Sequence, residues 1–131
     1  MKKNRLIVHS KIEVLDEVYS WLKQILETAE YQEFNRDNIT LVSHEMVANA
    51  ILHGNKEDSQ KSVYIMLERK DDVVLLFVED EGSKIVLFPS KEESKELDYL
   101  DENGRGLKLA VLLSDSIEYK NNRIEVIFKK A

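Results

Sequence analysis

The sequence predicts an α+β fold: a mixed, mostly antiparallel sheet with helices on one face. Two observations carry this. Segments with strand-like alternation come in pairs joined by short polar turns, and two long segments of helical periodicity separate the first strand from the first of those pairs. With 131 residues, of which 43% are hydrophobic and 34% charged, the chain has the balance of a globular domain that can bury a core without staples. The expectation is a single domain over residues 1–131.

Arg5 to His9 (RLIVH) reads as a short strand, and Ser10 as the N-cap of a helix from about Lys11 to Glu30. Ile12, Leu15, Leu22 and Ala29 follow helical spacing there, with Val18 or Tyr19 and Ile25 or Leu26 filling the stripe and Trp21 at its margin. A loop around Glu33 to Arg36 precedes a second helix over Ile39 to Asn55. Asn38 or Asp37 is available as its N-cap. Its apolar positions, Ile39, Val42, Met46, Val47, Ala50 and Ile51, recur every three or four residues, so one face is core.

After the polar run Lys56 to Lys61, Ser62 to Arg69 alternates Val63, Ile65 and Leu67 on one face. Val73 to Val78 is a continuous apolar run, the pattern of a central strand covered on both faces. Lys70 to Asp72 makes the turn between them. From Gly82 to Asn103 the pattern weakens into a highly charged stretch, and long loops in compact domains are uncommon unless functional. Gly106 to Leu113 reads as a helix with Leu107, Ala110 and Val111 inward. A final hairpin joins Ser116 to Tyr119 with Ile124 to Phe128 through Asn121-Asn122, residue types that accept positive φ.

Composition excludes several functions. There are no cysteines, hence no disulfides or thiolate metal sites. No apolar run approaches the roughly 20 residues needed to span a bilayer, and the N-terminus lacks the apolar segment of a signal peptide. A cytoplasmic location is expected, with no membrane association. The net charge of −6 argues against a nonspecific nucleic-acid binder.

The polar residues of the second helix are harder to explain by folding alone. Glu45 and Asn49 stand four apart and His53 follows one turn on, before Gly54, so the three share one edge beside the apolar stripe. A carboxylate, a carboxamide and an imidazole so placed suit a general base and a metal-binding oxygen, though such residues also occur on solvated helix edges. Downstream, FVEDEGSK at 77–84 ends the apolar strand on Asp80 and a turn at Gly82. NGRGLKLAVLLSD at 103–115 places Gly104-Arg105-Gly106 at the opening of a helix, where free N–H groups and the positive helix end can cradle phosphate.

These three motifs, in this order and spacing, resemble the GHKL ATPase superfamily (gyrase, Hsp90, histidine kinase and MutL type), and within it the small anti-sigma-factor serine/threonine protein kinases. EMVANAILHGN is similar to that family's N box, EDEGSK to its first glycine box and NGRGLKLAVLLSD to its second. The resemblance implies a two-layer α/β sandwich that binds ATP and Mg²⁺. It implies Glu45 as the general base and Asn49 as the magnesium ligand. For nucleotide binding it implies Asn49, His53, Asp80, Gly82, Gly104, Arg105, Gly106 and Leu107, with Asp80 accepting from the adenine amino group and residues 82–103 forming a lid. Two positions depart from the family pattern: Lys84 stands where a second glycine is usual, and the final strand contains no Thr.

Other motif readings do not survive inspection. Ser43-His44-Glu45 lacks the continuation of a phospho-acceptor histidine box, Ala48 occupies the second-ligand position of H-E-x-x-H, and there is no Walker, HRD or DFG motif. The chain carries no helical segment for an acceptor histidine, so the phosphoryl acceptor is expected in trans. The resemblance implies phosphorylation of a small antagonist protein, sequestration of a sigma factor and a homodimer. The alternative is a nucleotide-gated protein-binding module without phosphotransfer.

Overall fold

The computed structural model describes residues 3–82, 85–96 and 102–131. Five strands form one sheet in the order β1-β2-β3-β5-β4: β1 Lys3–His9, β2 Ser62–Lys70, β3 Val73–Glu79, β4 Ser116–Lys120 and β5 Arg123–Lys129. All four pairings are antiparallel, so the sheet is not mixed. Four α-helices accompany it: α1 Leu15–Leu26, α2 Arg36–Asn49, α3 Lys91–Ser94 and α4 Glu102–Leu113. The α+β two-layer expectation holds.

The core lies between α1, α2 and α4 and the sheet face carrying Val63, Ile65, Leu67, Val74, Leu76, Val78, Ile124, Val126 and Phe128, all buried. The six apolar positions read from the α2 segment are at most 1% exposed, so α2 is the central helix of that layer. The opposite face of β3 differs from expectation. Val73, Leu75 and Phe77 are only partly covered, and among the described residues no helix packs over them. A continuous apolar run thus marks the central strand here, with cover on one face alone.

Local signals were read less accurately at the helix ends. The first helix is interrupted: a 3₁₀ turn at Ile12–Val14, α1, then a second 3₁₀ turn at Ala29–Tyr31. Ser10 is not its N-cap, for its hydroxyl donates to the Lys61 carbonyl at 2.8 Å. Asn35, rather than Asn38 or Asp37, caps α2, its side chain accepting from the Asn38 N–H at 3.1 Å. That choice starts the helix three residues early and satisfies one orphan donor.

Gly54 does not end α2 with a left-handed residue. The helix widens into a π turn over Ala50–Gly54, and positive φ falls on Lys56 (53°) and Glu57 (55°). In the turn between β4 and β5, Asn121 and Asn122 both take positive φ, 53° and 65°, as their residue types predict.

The charged stretch after Pro89 contains α3, whose Ser90–Glu93 capping box closes both reciprocal bonds. Lys84 and residues 97–101, the middle of the expected lid, lie outside the described residues.

Candidate functional site

The polar edge of α2 faces α4. Glu45 and Asn49 are half-buried and His53 is exposed. With Gly106 and Leu107 of α4 they line a small cavity of about 110 Å³. Asn49, His53 and Leu107 also line a larger cavity of about 500 Å³, completed by Gly54, Ile85, Val86 and Leu87. Three shared residues make the two cavities adjoin. His53 lies within the π turn at Ala50–Gly54 and lines both cavities.

The head of α4 corrects one expectation. The helix begins at Glu102, so Gly104, Arg105 and Gly106 lie within its first turns and do not precede them. Free N–H groups belong to the turn that precedes Gly106, whose own N–H falls on the fourth-residue repeat with Glu102. Gly106 has a sharper role. A Cβ at this position would stand 2.4 Å from Oε2 of Glu45, so the absent side chain is what admits the carboxylate against α4. Among the described residues, the side chains of Glu45, Asn49 and His53 make no hydrogen bond or ion pair.

Asp80 follows the end of β3, whose Glu79 pairs with Tyr64 beside the start of β2. It packs against Gly54, which lines the larger cavity: a Cβ on Gly54 would lie 2.1 Å from Asp80 Oδ2, and one on Gly82 would lie 2.1 Å from the Gly54 carbonyl oxygen. Two glycines therefore let a loop, a helix end and a carboxylate stack without side chains between them. The Gly82 N–H donates to Asp80 Oδ1 at 2.8 Å. Burial pushes the Asp80 carboxyl above its ordinary value, opposed by that N–H and by the Lys61 charge.

Sequence reasoning missed Gly54 as Asp80's neighbour, Asn55 behind it, and Ile85 and Leu87 as cavity wall. The exposure of the last two, 64% and 81%, is the kind of signal that alternation in IVLFP could have given, since Val86 and Phe88 turn toward the core.

The donor set can be tested against a magnesium nucleotide. Among the described residues no cluster of three or more acidic or histidine side chains could hold a metal. A lone Asn oxygen at Asn49 suits a cation that keeps waters and takes most of its oxygens from phosphate, as Mg²⁺ does. An acceptor carboxylate behind a glycine wall suits an exocyclic amino group. The residues fit.

The histidine kinase-like ATPase domain family matches residues 8–130, nearly the whole chain. The chain belongs to that family. Among curated proteins, the chain is 33% identical over 84 residues to the anti-sigma F factor of Bacillus licheniformis, a match covering 60% of this chain and 56% of that protein. It is 32% identical over 87 residues to the anti-sigma F factor of Bacillus subtilis, with the same shares covered. The match thus spans little more than half the length of these relatives. No helix among the described residues of this family member is long and apolar enough to cross a membrane.

Proposed function

We propose that the protein is an ATP-dependent serine/threonine protein kinase of the anti-sigma type. It binds Mg²⁺-ATP, phosphorylates a small antagonist protein in trans and regulates transcription by sequestering a sigma factor. The observation that carries this reading is the Glu45 carboxylate held against Gly106 at the head of α4, in one cavity with Asn49. The names of the relatives support the anti-sigma part.

When bound, ATP supplies the γ-phosphoryl group and Mg²⁺ neutralises its charge. Asn49 would hold the metal through its carboxamide oxygen. Asp80 would accept from the adenine amino group, while Gly54 and Gly82 allow close approach to the base. The first-turn N–H groups of α4, up to Gly104, would face phosphate, with Arg105 and Gly106 beside them. His53 and Leu107 wall the join between the cavities. Glu45 takes the proton from the attacking serine or threonine hydroxyl.

A second reading, a nucleotide-gated binding module without phosphotransfer, is favoured by the absence of Thr from β5 (RIEVIFK). Glu45→Ala separates the two. The kinase reading predicts ATP affinity within a few-fold of the parent and phosphoryl transfer lower by roughly 10²–10⁴. Phosphate transfer and ATP loss no faster in the parent than in Glu45→Ala would leave the binding module standing.

The homodimer belongs to the same proposal. The outer sheet face exposes Ile7 (62%) and Tyr64 (40%) beside partly covered Met66, Leu75, Phe77 and Ile127, an apolar patch bordered by Arg5, Glu79 and Arg123 of the kind a second copy can cover. Sedimentation should show Ile7→Lys shifted toward monomer, and an unchanged association state would remove this face from the interface.

A further inference from the structure

Asn55 is 1% exposed and uses every polar group it has. Its Nδ2 donates to Ser10 Oγ at 2.7 Å and to the Ser62 carbonyl at 2.9 Å. Its Oδ1 accepts from the Glu81 N–H at 2.8 Å, and its own N–H donates to the Ala50 carbonyl at 2.8 Å. The Glu81 carboxylate in turn accepts from the Ser62 N–H. A closed ring therefore joins the end of the π turn, the start of β2 and the loop after β3. Only a carboxamide supplies two donors and an acceptor from one short side chain.

The position of this ring matters more than its number of bonds. Asn55 directly follows Gly54, and Glu81 directly follows Asp80. The bond from Glu81 N–H to Asn55 Oδ1 thus clamps the two neighbours of the Gly54–Asp80 contact to each other. The carboxylate has no direct tie to the cavity wall other than this packing and the local Gly82 N–H. Beyond the strand pairing of Glu79, the side chain that ties the residue after Asp80 to the residue after Gly54 is Asn55.

We propose that Asn55 is the positioning residue for Asp80 and thereby determines selection of adenine over guanine nucleotides. This rests on the reading of Asp80 as acceptor for the base's amino group. A carboxylate pairs with the amino group at the 6-position of adenine and repels the carbonyl that guanine carries there. Such rejection is large only where the buried acceptor is held in place. A carboxylate released by loss of the clamp can swing from the carbonyl, so discrimination falls faster than affinity.

The test compares Mg²⁺-ATP and Mg²⁺-GTP affinities by calorimetry in the parent protein, Asn55→Ala, Asn55→Asp and Ser10→Ala, with melting temperatures in parallel. In Asn55→Ala the ATP-to-GTP affinity ratio should fall by about tenfold or more. Asn55→Asp keeps an acceptor for the Glu81 N–H but no donors, so it should melt lower while its ratio stays within about threefold of the parent. Ser10→Ala should also lose stability and keep the ratio. Where Asn55→Ala does not fold, Asn55→Ser, whose hydroxyl is too short to reach Glu81, is read in its place with the same expectation. A parent that discriminates and an Asn55→Ala or Asn55→Ser protein that discriminates equally well overturns this proposal alone. A parent that binds both nucleotides equally overturns the Asp80 assignment, and this one with it.

Discussion

The two ends of the site are built differently. Around Asp80, each polar contact closes within the chain: Gly82 N–H to Asp80, Glu81 N–H to Asn55, Asn55 to Ser10 and Ser62. Around Glu45, Asn49 and His53, a carboxylate, a carboxamide and an imidazole stand beside the head of α4 with no hydrogen bond among the described residues. Buried polar groups in folded proteins are nearly always paired, so the half-buried Glu45 and Asn49, at a cavity wall without partners, are groups whose partners a ligand can supply. On the proposed reading, the base end is preformed and the phosphate end is left to be completed.

Gly106→Ala breaks this contrast at the Glu45 end. The new Cβ meets the flexible end of Glu45, which must move. A misplacement of about 1 Å can cost roughly 10²-fold in rate, and single-turnover phosphoryl transfer should fall by about that much. Stability should not fall with it, because Ala is favoured over Gly inside a helix by up to about 1 kcal/mol. A loss of thermal stability matching the loss of transfer would mean that Gly106 serves packing alone.

Asp80→Asn tests the other end. Calorimetry should show ATP binding weaker by about 1–3 kcal/mol, whereas the free protein should be no less stable near neutral pH. The reason is the direction of the shift. Burial raises the folded-state pKa of Asp80, so within the window between the unfolded value and the raised one the folded state binds more protons. The contribution of this group to stability is therefore undiminished below the unfolded pKa and falls as pH rises through the folded one. Asn avoids that cost and its Oδ1 can still accept from Gly82. A lower melting temperature for Asp80→Asn at pH 7 than at acid pH, relative to the parent, would contradict this.

The smallest effect is expected away from both ends. Ser43 lies on the buried face of α2 at 0% exposure, and its hydroxyl finds no partner. Ser43→Ala removes an unpaired polar group and should be neutral or stabilising, by about 1 kcal/mol at most, in denaturant titration. ATP affinity should not change, which makes it the reference against which effects at the site are read.

Much of the fold was legible because the physics was local. The α2 stripe was legible since every inward position from Ile39 to Ile51 except Ser43 is apolar, and the Asn121-Asn122 turn because Asn accepts positive φ more readily than most residues. The helix start was not, since Asn35, Asp37 and Asn38 are all competent caps and only the folded backbone selects Asn35. Nor could the run Val73 to Val78 tell a strand covered on both faces from one covered on one. At the site, the Glu45–Asn49–His53 edge was visible as a spacing. Asn55 was not, because its partners Ser10 and Glu81 lie 45 and 26 residues away, and a buried Asn after a glycine reads as a turn.

The measurement that bears most directly on the division between the two ends is a paired assay of Asp80→Asn and Glu45→Ala. Each is titrated with Mg²⁺-ATP by calorimetry and followed for phosphoryl transfer in a single turnover at saturating nucleotide. The predicted outcome is crossed: Asp80→Asn loses affinity but transfers at near-parental rate once saturated, and Glu45→Ala binds within a few-fold of the parent but transfers roughly 10²–10⁴ more slowly. Parallel losses of affinity and transfer in both variants would contradict a site with separate base-recognition and proton-accepting ends.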